Sequence, residues 1–167
     1  CTLAALSAMP ISVTVPDIPV GERFVLLSTR SDDSAQNDGR HFFESRLANS
    51  TTLEVHQPTP AAGPATTCGA TMGFAAQVVS WRNAVVNRGV LVAGAGGLPA
   101  SPFTVSQATA VSGRTFLLYS SRMTLDLVNT SICRRRLRGF IFDASTLRFD
   151  RGCTGADVTD ISWEHVQ

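Results

Sequence analysis

Four cysteines, three histidines and thirteen carboxylates are the reactive side chains of this 167-residue chain, and their spacing restricts the chemistry they offer. Cys1, Cys68, Cys133 and Cys153 form no C-x-x-C pair, so neither a zinc site nor a thioredoxin-type redox motif is present. Structural disulfides are the default that remains, and they imply an oxidising compartment. His41 and His56 fall on opposite strands of one hairpin, where they could approach each other and hold a metal. Their counterparts in a later, similar segment are Arg135 and Asp150, so solvated strand residues are the better reading. No G-x-S-x-G elbow and no H-E-x-x-H pair occurs. The chain therefore reads as a non-enzyme that needs no cofactor.

Two further clusters are candidates for binding. The polar loop from Ser31 to Gly39 carries Asp32, Asp33 and Asp38, whose oxygens are of the type calcium prefers, but without the EF-hand spacing. A solvated turn is the simpler reading, with no metal expected. On a strand, Arg134, Arg136 and Arg138 point one way, so three guanidinium groups can meet a phosphate, a sulfate or an acidic sugar. No aromatics are interleaved for base stacking. With a net charge of +1 there is no broad field to draw in nucleic acid. The run Gly94-Ala95-Gly96-Gly97 cannot be a P-loop, because the chain has no lysine. Asn49-Ser50-Thr51 and Asn129-Thr130-Ser131 fit the glycosylation sequon, a weak match that we expect to stay unmodified.

The elements that must position these residues are strands, and they repeat. Phe24-Val25-Leu26-Leu27-Ser28-Thr29-Arg30 returns as Phe116-Leu117-Leu118-Tyr119-Ser120-Ser121-Arg122. Thr52-Leu53 returns as Thr146-Leu147, and Val79-Ser80-Trp81 as Ile161-Ser162-Trp163. Three blocks in one order point to a tandem duplication. Short alternating runs separated by Gly, Pro and Asn signals, without a sustained helical period, predict two antiparallel β-sandwich modules. Residues 1–10 form an N-terminal arm, 11–92 the first repeat, 93–102 a Gly/Pro-rich linker and 103–167 the second repeat. In each module one hairpin is expected, His41 to Leu47 with Thr51 to His56 and Arg134 to Phe142 with Ser145 to Asp150. Phe74 to Val86 reads as one long strand. Val13, Phe24, Leu26, Leu53, Val79 and Trp81 are expected to form one core, and Val105, Phe116, Leu118, Leu147, Ile161 and Trp163 another.

The blocks Phe24 to Arg30, Arg46 to Val55 and Val78 to Gly89, with Arg30/Arg122 and Trp81/Trp163, resemble repeats of surface and tail-fibre proteins of bacteria and their phages. Their order also resembles the H-type lectin domain, a small sandwich that trimerises and binds N-acetylgalactosamine-type sugars. The first resemblance implies a non-enzymatic structural subunit of an extracellular fibre or filament, a homo-oligomer or polymer. The second implies an adhesion module whose partner is a cell-surface glycan. The Pro-rich insertion around Cys68 departs from the lectin pattern.

The cysteines and the arm complete the sequence reading. With the second hairpin turning near Ala144, Cys133 and Cys153 lie nearly opposite each other, and antiparallel neighbours stand about 4.5–5.5 Å apart, within disulfide reach. Cys68 takes the place of Cys153 in the first copy with no counterpart to Cys133, which leaves Cys1 as its partner. Cys1 is also where a bacterial lipoprotein carries its lipid, so an anchor there is the alternative. The arm, with Thr2, Leu3, Leu6 and Met9, has a buried strand's apolar content and is expected to pack on a neighbouring subunit. No apolar run has the roughly 20 residues of a membrane helix. The expected location is extracellular or at the cell surface.

Overall fold

The structure, a computed structural model, describes residues 10–17, 19–31, 43–56, 59–60, 72–92, 102–107, 113–125, 137–151 and 158–167. The strands in chain order are β1 (Ile11–Thr14), β2 (Arg23–Ser31), β3 (Glu44–Asn49), β4 (Thr52–His56), β5 (Thr59–Pro60), β6 (Met72–Ser80), β7 (Val86–Val92), β8 (Phe103–Ser106), β9 (Phe116–Leu125), β10 (Leu137–Asp143), β11 (Thr146–Arg151) and β12 (Val158–Val166). One 3-10 turn, Val20–Glu22, precedes β2. The fold is all-β, as the alternating pattern predicts. No helix among the described residues is long and apolar enough to cross a membrane.

Among the described residues four sheets result, ordered β1-β4-β3, β10-β11-β8, β2-β6 and β5-β9-β12-β7. All pairings are antiparallel except the short contact of β5 with β9. The two three-stranded sheets share one register. Val13 faces Leu53 and Leu47 faces Leu53 in the first, while Val105 faces Leu147 and Ile141 faces Leu147 in the second. Both hairpins carry a register shift at the same place, between Leu47 and Asn49 and between Ile141 and Asp143. The turn chemistry explains it. Asn49 Oδ1 accepts the Thr51 N–H at 2.9 Å and Asp143 Oδ1 accepts the Ser145 N–H at 2.8 Å, the local bond by which Asn and Asp close a turn on their own backbone.

Three apolar clusters join the sheets. Val25, Phe43, Leu47, Leu53 and Val55 join β1-β4-β3 to β2-β6. Phe103, Leu147, Phe149, Ile161 and Trp163 join β10-β11-β8 to the sheet of β12. A third cluster of Phe24, Ala84, Val86 and Val166, with Val79, Phe116 and Leu118 against it, joins β2-β6 to the sheet of β12. Strand β2 feeds two clusters because its faces alternate, Val25 and Leu27 to one side and Phe24 to the other. Strand β12 is buried on both faces from Asp160 to Val166.

Several expectations need correction. Phe24, Phe116 and Leu118 belong to neither module's own core but to the cluster between them. Val13 lies on the outer strand of its sheet and is 43% exposed, and Leu26 is 40% exposed. The run Phe74 to Val86 is two strands, broken at Trp81 to Val85, where Asn83 takes a left-handed φ of 68°. Asn tolerates that conformation better than most residues. Trp81 therefore falls in a turn, 55% exposed, while Trp163 lies inside β12 at 7%. The two tryptophans do not occupy equivalent places. Strand β7 is not paired with β6; it joins β12, residue Gly89 facing Trp163.

Candidate functional site

Strands β2 and β3 meet β9 and β12 along a seam that is apolar at one end and charged at the other. At the apolar end the third cluster closes it. Further along, a cleft of about 470 Å³ opens between β2 and β3 on one side and β9 and β12 on the other, lined by Val25, Phe43 and Leu118 and by Ser45, Ser120 and Glu164.

Across this seam the second half caps the open edges of the first. Among the described residues strand β2 pairs only with β6, so its other edge presents bare backbone groups that must find partners when buried. Glu164 Oε2 accepts the Val25 N–H at 2.7 Å. Ser120 Oγ accepts the Ser45 N–H at 3.0 Å, doing the same for β3. Glu164 Oε1 stands 3.4 Å from Arg88 Nε, and another Arg88 nitrogen donates to the Arg23 carbonyl at 2.5 Å. Burial pushes the Glu164 carboxyl up, against the pull of the Val25 N–H and Arg88, and burial pushes Arg88 down. Arg23 is itself fully buried, donating to the carbonyls of Pro16 at 2.8 Å, Asn49 at 3.3 Å and Ser50. It ties the entry to β2 to the first hairpin turn.

Beyond Ser45 the seam collects a second set of charges. Arg122 pairs with Asp160 between β9 and β12. Glu44, at the start of β3, is fully buried, and burial followed by the charge of Asp160 raises its carboxyl to about 7. Next to it, Glu54 Oε2 accepts from Arg46 Nε at 3.0 Å and lies 3.2 Å from His56 Nε2. Burial works to raise Glu54, but those two hydrogen bonds outweigh it and hold the carboxyl low. Burial holds the His56 ring below its usual value, against the opposing pull of Glu54. Two carboxyls pushed in opposite directions are the raw material of acid–base chemistry. Here they do not line the cleft.

Of the residues singled out from sequence, His56 is thus paired with Glu54 in the sheet. Arg138 is three-quarters exposed, donates to Asp150 at 2.8 Å and lies 5.2 Å from the Phe140 ring centre. Arg148 shares Asp150 at 2.9 Å and sits 5.6 Å from both Phe140 and Phe142. Hydrogen bonds from Arg138 and Arg148 hold the Asp150 carboxyl low. Arg138 is therefore a charge matched by Asp150 beside an aromatic ring. Arg134, Arg136, His41, Asp32, Asp33, Asp38, the arm residues Thr2, Leu3, Leu6 and Met9, and all four cysteines lie outside the described residues. Among the described residues no group of three or more His, Cys, Asp or Glu is placed to hold a metal ion.

The residues that sequence reasoning missed are Arg23, Glu44, Glu164 and His165, all buried charged or titratable groups on strands. Only Arg23 carried a signal, since it opens the largely apolar β2. Polar neighbours in β3 and β12 make Glu44, Glu164 and His165 look like solvated strand residues. No family model, curated protein or solved structure matches the chain.

Proposed function

We propose that the chain is a non-enzymatic structural module of an extracellular surface fibre or filament, bacterial or phage, built from a duplicated β-sandwich and joining its neighbours through a sheet edge. The observation that carries this reading is the contrast between edges. Those of β2 and β3 are capped from within by Glu164 and Ser120, whereas the outer edge of β7 has no partner strand among the described residues. Natural edge strands are blunted by charge, proline or a bulge. Strand β7 has none of these on offer: its pairing with β12 runs without a shift, and its only charged residue, Arg88, turns inward to Glu164. Val90 and Val92 stand exposed at 38% and 68%. Such an edge suits strand addition by another subunit. The common register of the two three-stranded sheets supports the duplication.

Sedimentation velocity and negative-stain microscopy test the reading. Regular polymers or defined oligomers are expected, and Val92→Lys should disperse them while leaving the far-ultraviolet spectrum unchanged. A wild-type chain that stays monomeric at all concentrations would overturn it.

A glycan-binding adhesion module is the second reading, favoured by the outer face of β10 and β11. There Phe142 is 55% exposed beside Phe140, Arg138, Arg148 and Asp150. Exposed aromatic faces with charged groups fixed around them suit a sugar ring. Retention of the monomer on a sugar column, lost in Phe142→Ala, would select this reading over the first.

A further inference from the structure

Among the described residues Glu44 stands out as a buried carboxyl. It is wholly buried, and neither carboxylate oxygen has a hydrogen-bond partner among the described residues. A buried carboxylate without donors is costly when ionised, so such a group either finds a partner or keeps its proton. The surroundings decide for the proton. In its own sheet Glu44 faces His56 across to β4, with Glu54 and Arg46 alongside. From the other half, β9 and β12 bring the Arg122–Asp160 pair. Burial and then Asp160 raise its carboxyl to about 7; Arg46 and Arg122 oppose, and Glu54 adds to the rise.

The position gives this protonation a mechanical meaning. One residue further along β3, the Ser45 N–H donates to Ser120 Oγ at 3.0 Å, and the Ser120 hydroxyl donates to the Ser45 carbonyl at 3.4 Å. The strand that carries Glu44 thus touches β9. We propose that Glu44 is the proton-binding element of a clasp between the two halves: the closed form holds its carboxyl protonated beside the Arg122–Asp160 pair, and ionisation favours withdrawal of the start of β3 from β9 and β12.

The direction follows from linkage. Once withdrawn, the carboxyl returns toward its ordinary 4.5, so the closed form is the tighter proton binder. Its advantage is complete below about 4.5, shrinks by up to about tenfold per pH unit as pH rises, and is spent above about 7. Other buried groups titrate nearby. Glu164 is raised and acts in the same sense, whereas His56 and His165 are lowered and act oppositely. The difference between wild type and Glu44→Gln, an uncharged isostere of the protonated form, isolates the clasp. It operates whether or not the protein polymerises.

Two measurements on the full chain test it. Carbon-13 NMR of the Glu44 carboxyl should give a midpoint near 7, moved downward by Asp160→Asn. Hydrogen exchange at the Ser45 amide, corrected for intrinsic rate, should lose on the order of 100-fold in protection between pH 4.5 and 7 relative to Glu44→Gln. A midpoint in the ordinary carboxylate range, or parallel exchange profiles for wild type and variant, would overturn the proposal. Should Glu44→Gln fail to fold, the wild-type midpoint alone decides.

Discussion

Phe24 and Phe116, the residues that open the two copies of the repeated strand motif, meet each other edge to face, ring centres 5.5 Å apart and planes at 84°. The motif that reads as two separate module cores is one shared contact. Phe24→Ala should cost about 3–5 kcal/mol. Because the cluster belongs to both halves, urea denaturation should remain a single transition, with the buried Trp163 emission and the far-ultraviolet signal moving together. Two resolved transitions would show that the halves are energetically independent.

Glu164 supplies a second test of the seam. Removing it in Glu164→Ala leaves the Val25 N–H without an acceptor and Arg88 without its buried counter-charge. An unpaired buried charge costs about 3–5 kcal/mol. Glu164→Gln keeps an oxygen for Val25 and should cost less. Denaturant midpoints of the two variants check the order.

Gly89 faces Trp163 across β7 and β12, and a Cβ placed there would lie 2.6 Å from the indole Cζ2. Gly89→Ala must push the ring aside in a packed layer, at about 1–3 kcal/mol. The Trp163 emission should shift to the red as the ring loosens. Trp81→Ala, at an exposed turn, should cost about 1 kcal/mol or less.

His165 is wholly buried with neither ring nitrogen hydrogen-bonded among the described residues, and burial holds its pKa below 6.5. The unfolded chain therefore binds the proton first. Its contribution is intact above about 6.5 and is lost as pH falls toward the folded value, by up to about 1.4 kcal/mol per unit. His165→Leu should flatten this acid-side slope, which urea midpoints between pH 7 and pH 5 would reveal.

The strands and both hairpins were legible because a two-residue alternation and turn-forming residues are local signals. Ser145 to Asp150 lies within one residue of β11, and Phe103 to Ser106 is β8. The layer between the halves was not legible. Both faces of β2 are apolar, and nothing in Phe24 or Val25 says which neighbour each face will meet. The break between β6 and β7 had a signal, Asn83, but neither glycine nor proline marks it. Glu44 and Glu164 look like solvated strand residues because their burial comes from a sheet far away in sequence. The register of β7 with β12 is likewise a long-range property.

The pairing of β12 between β7 and β9 also sets an order of events during folding. Among the described residues strands β7 and β9 have no hydrogen-bonded contact with each other, so beyond the short pairing of β5 with β9 their sheet cannot form until β12 has been placed between them. The hairpins of β3 with β4 and β10 with β11 close locally and form early, while the central sheet waits on distant loop closure. Folding should be slow, and the chain before β12 docks holds the valine-rich β7 and most of β9 open to other chains. At high concentration, misassembly competes at that step.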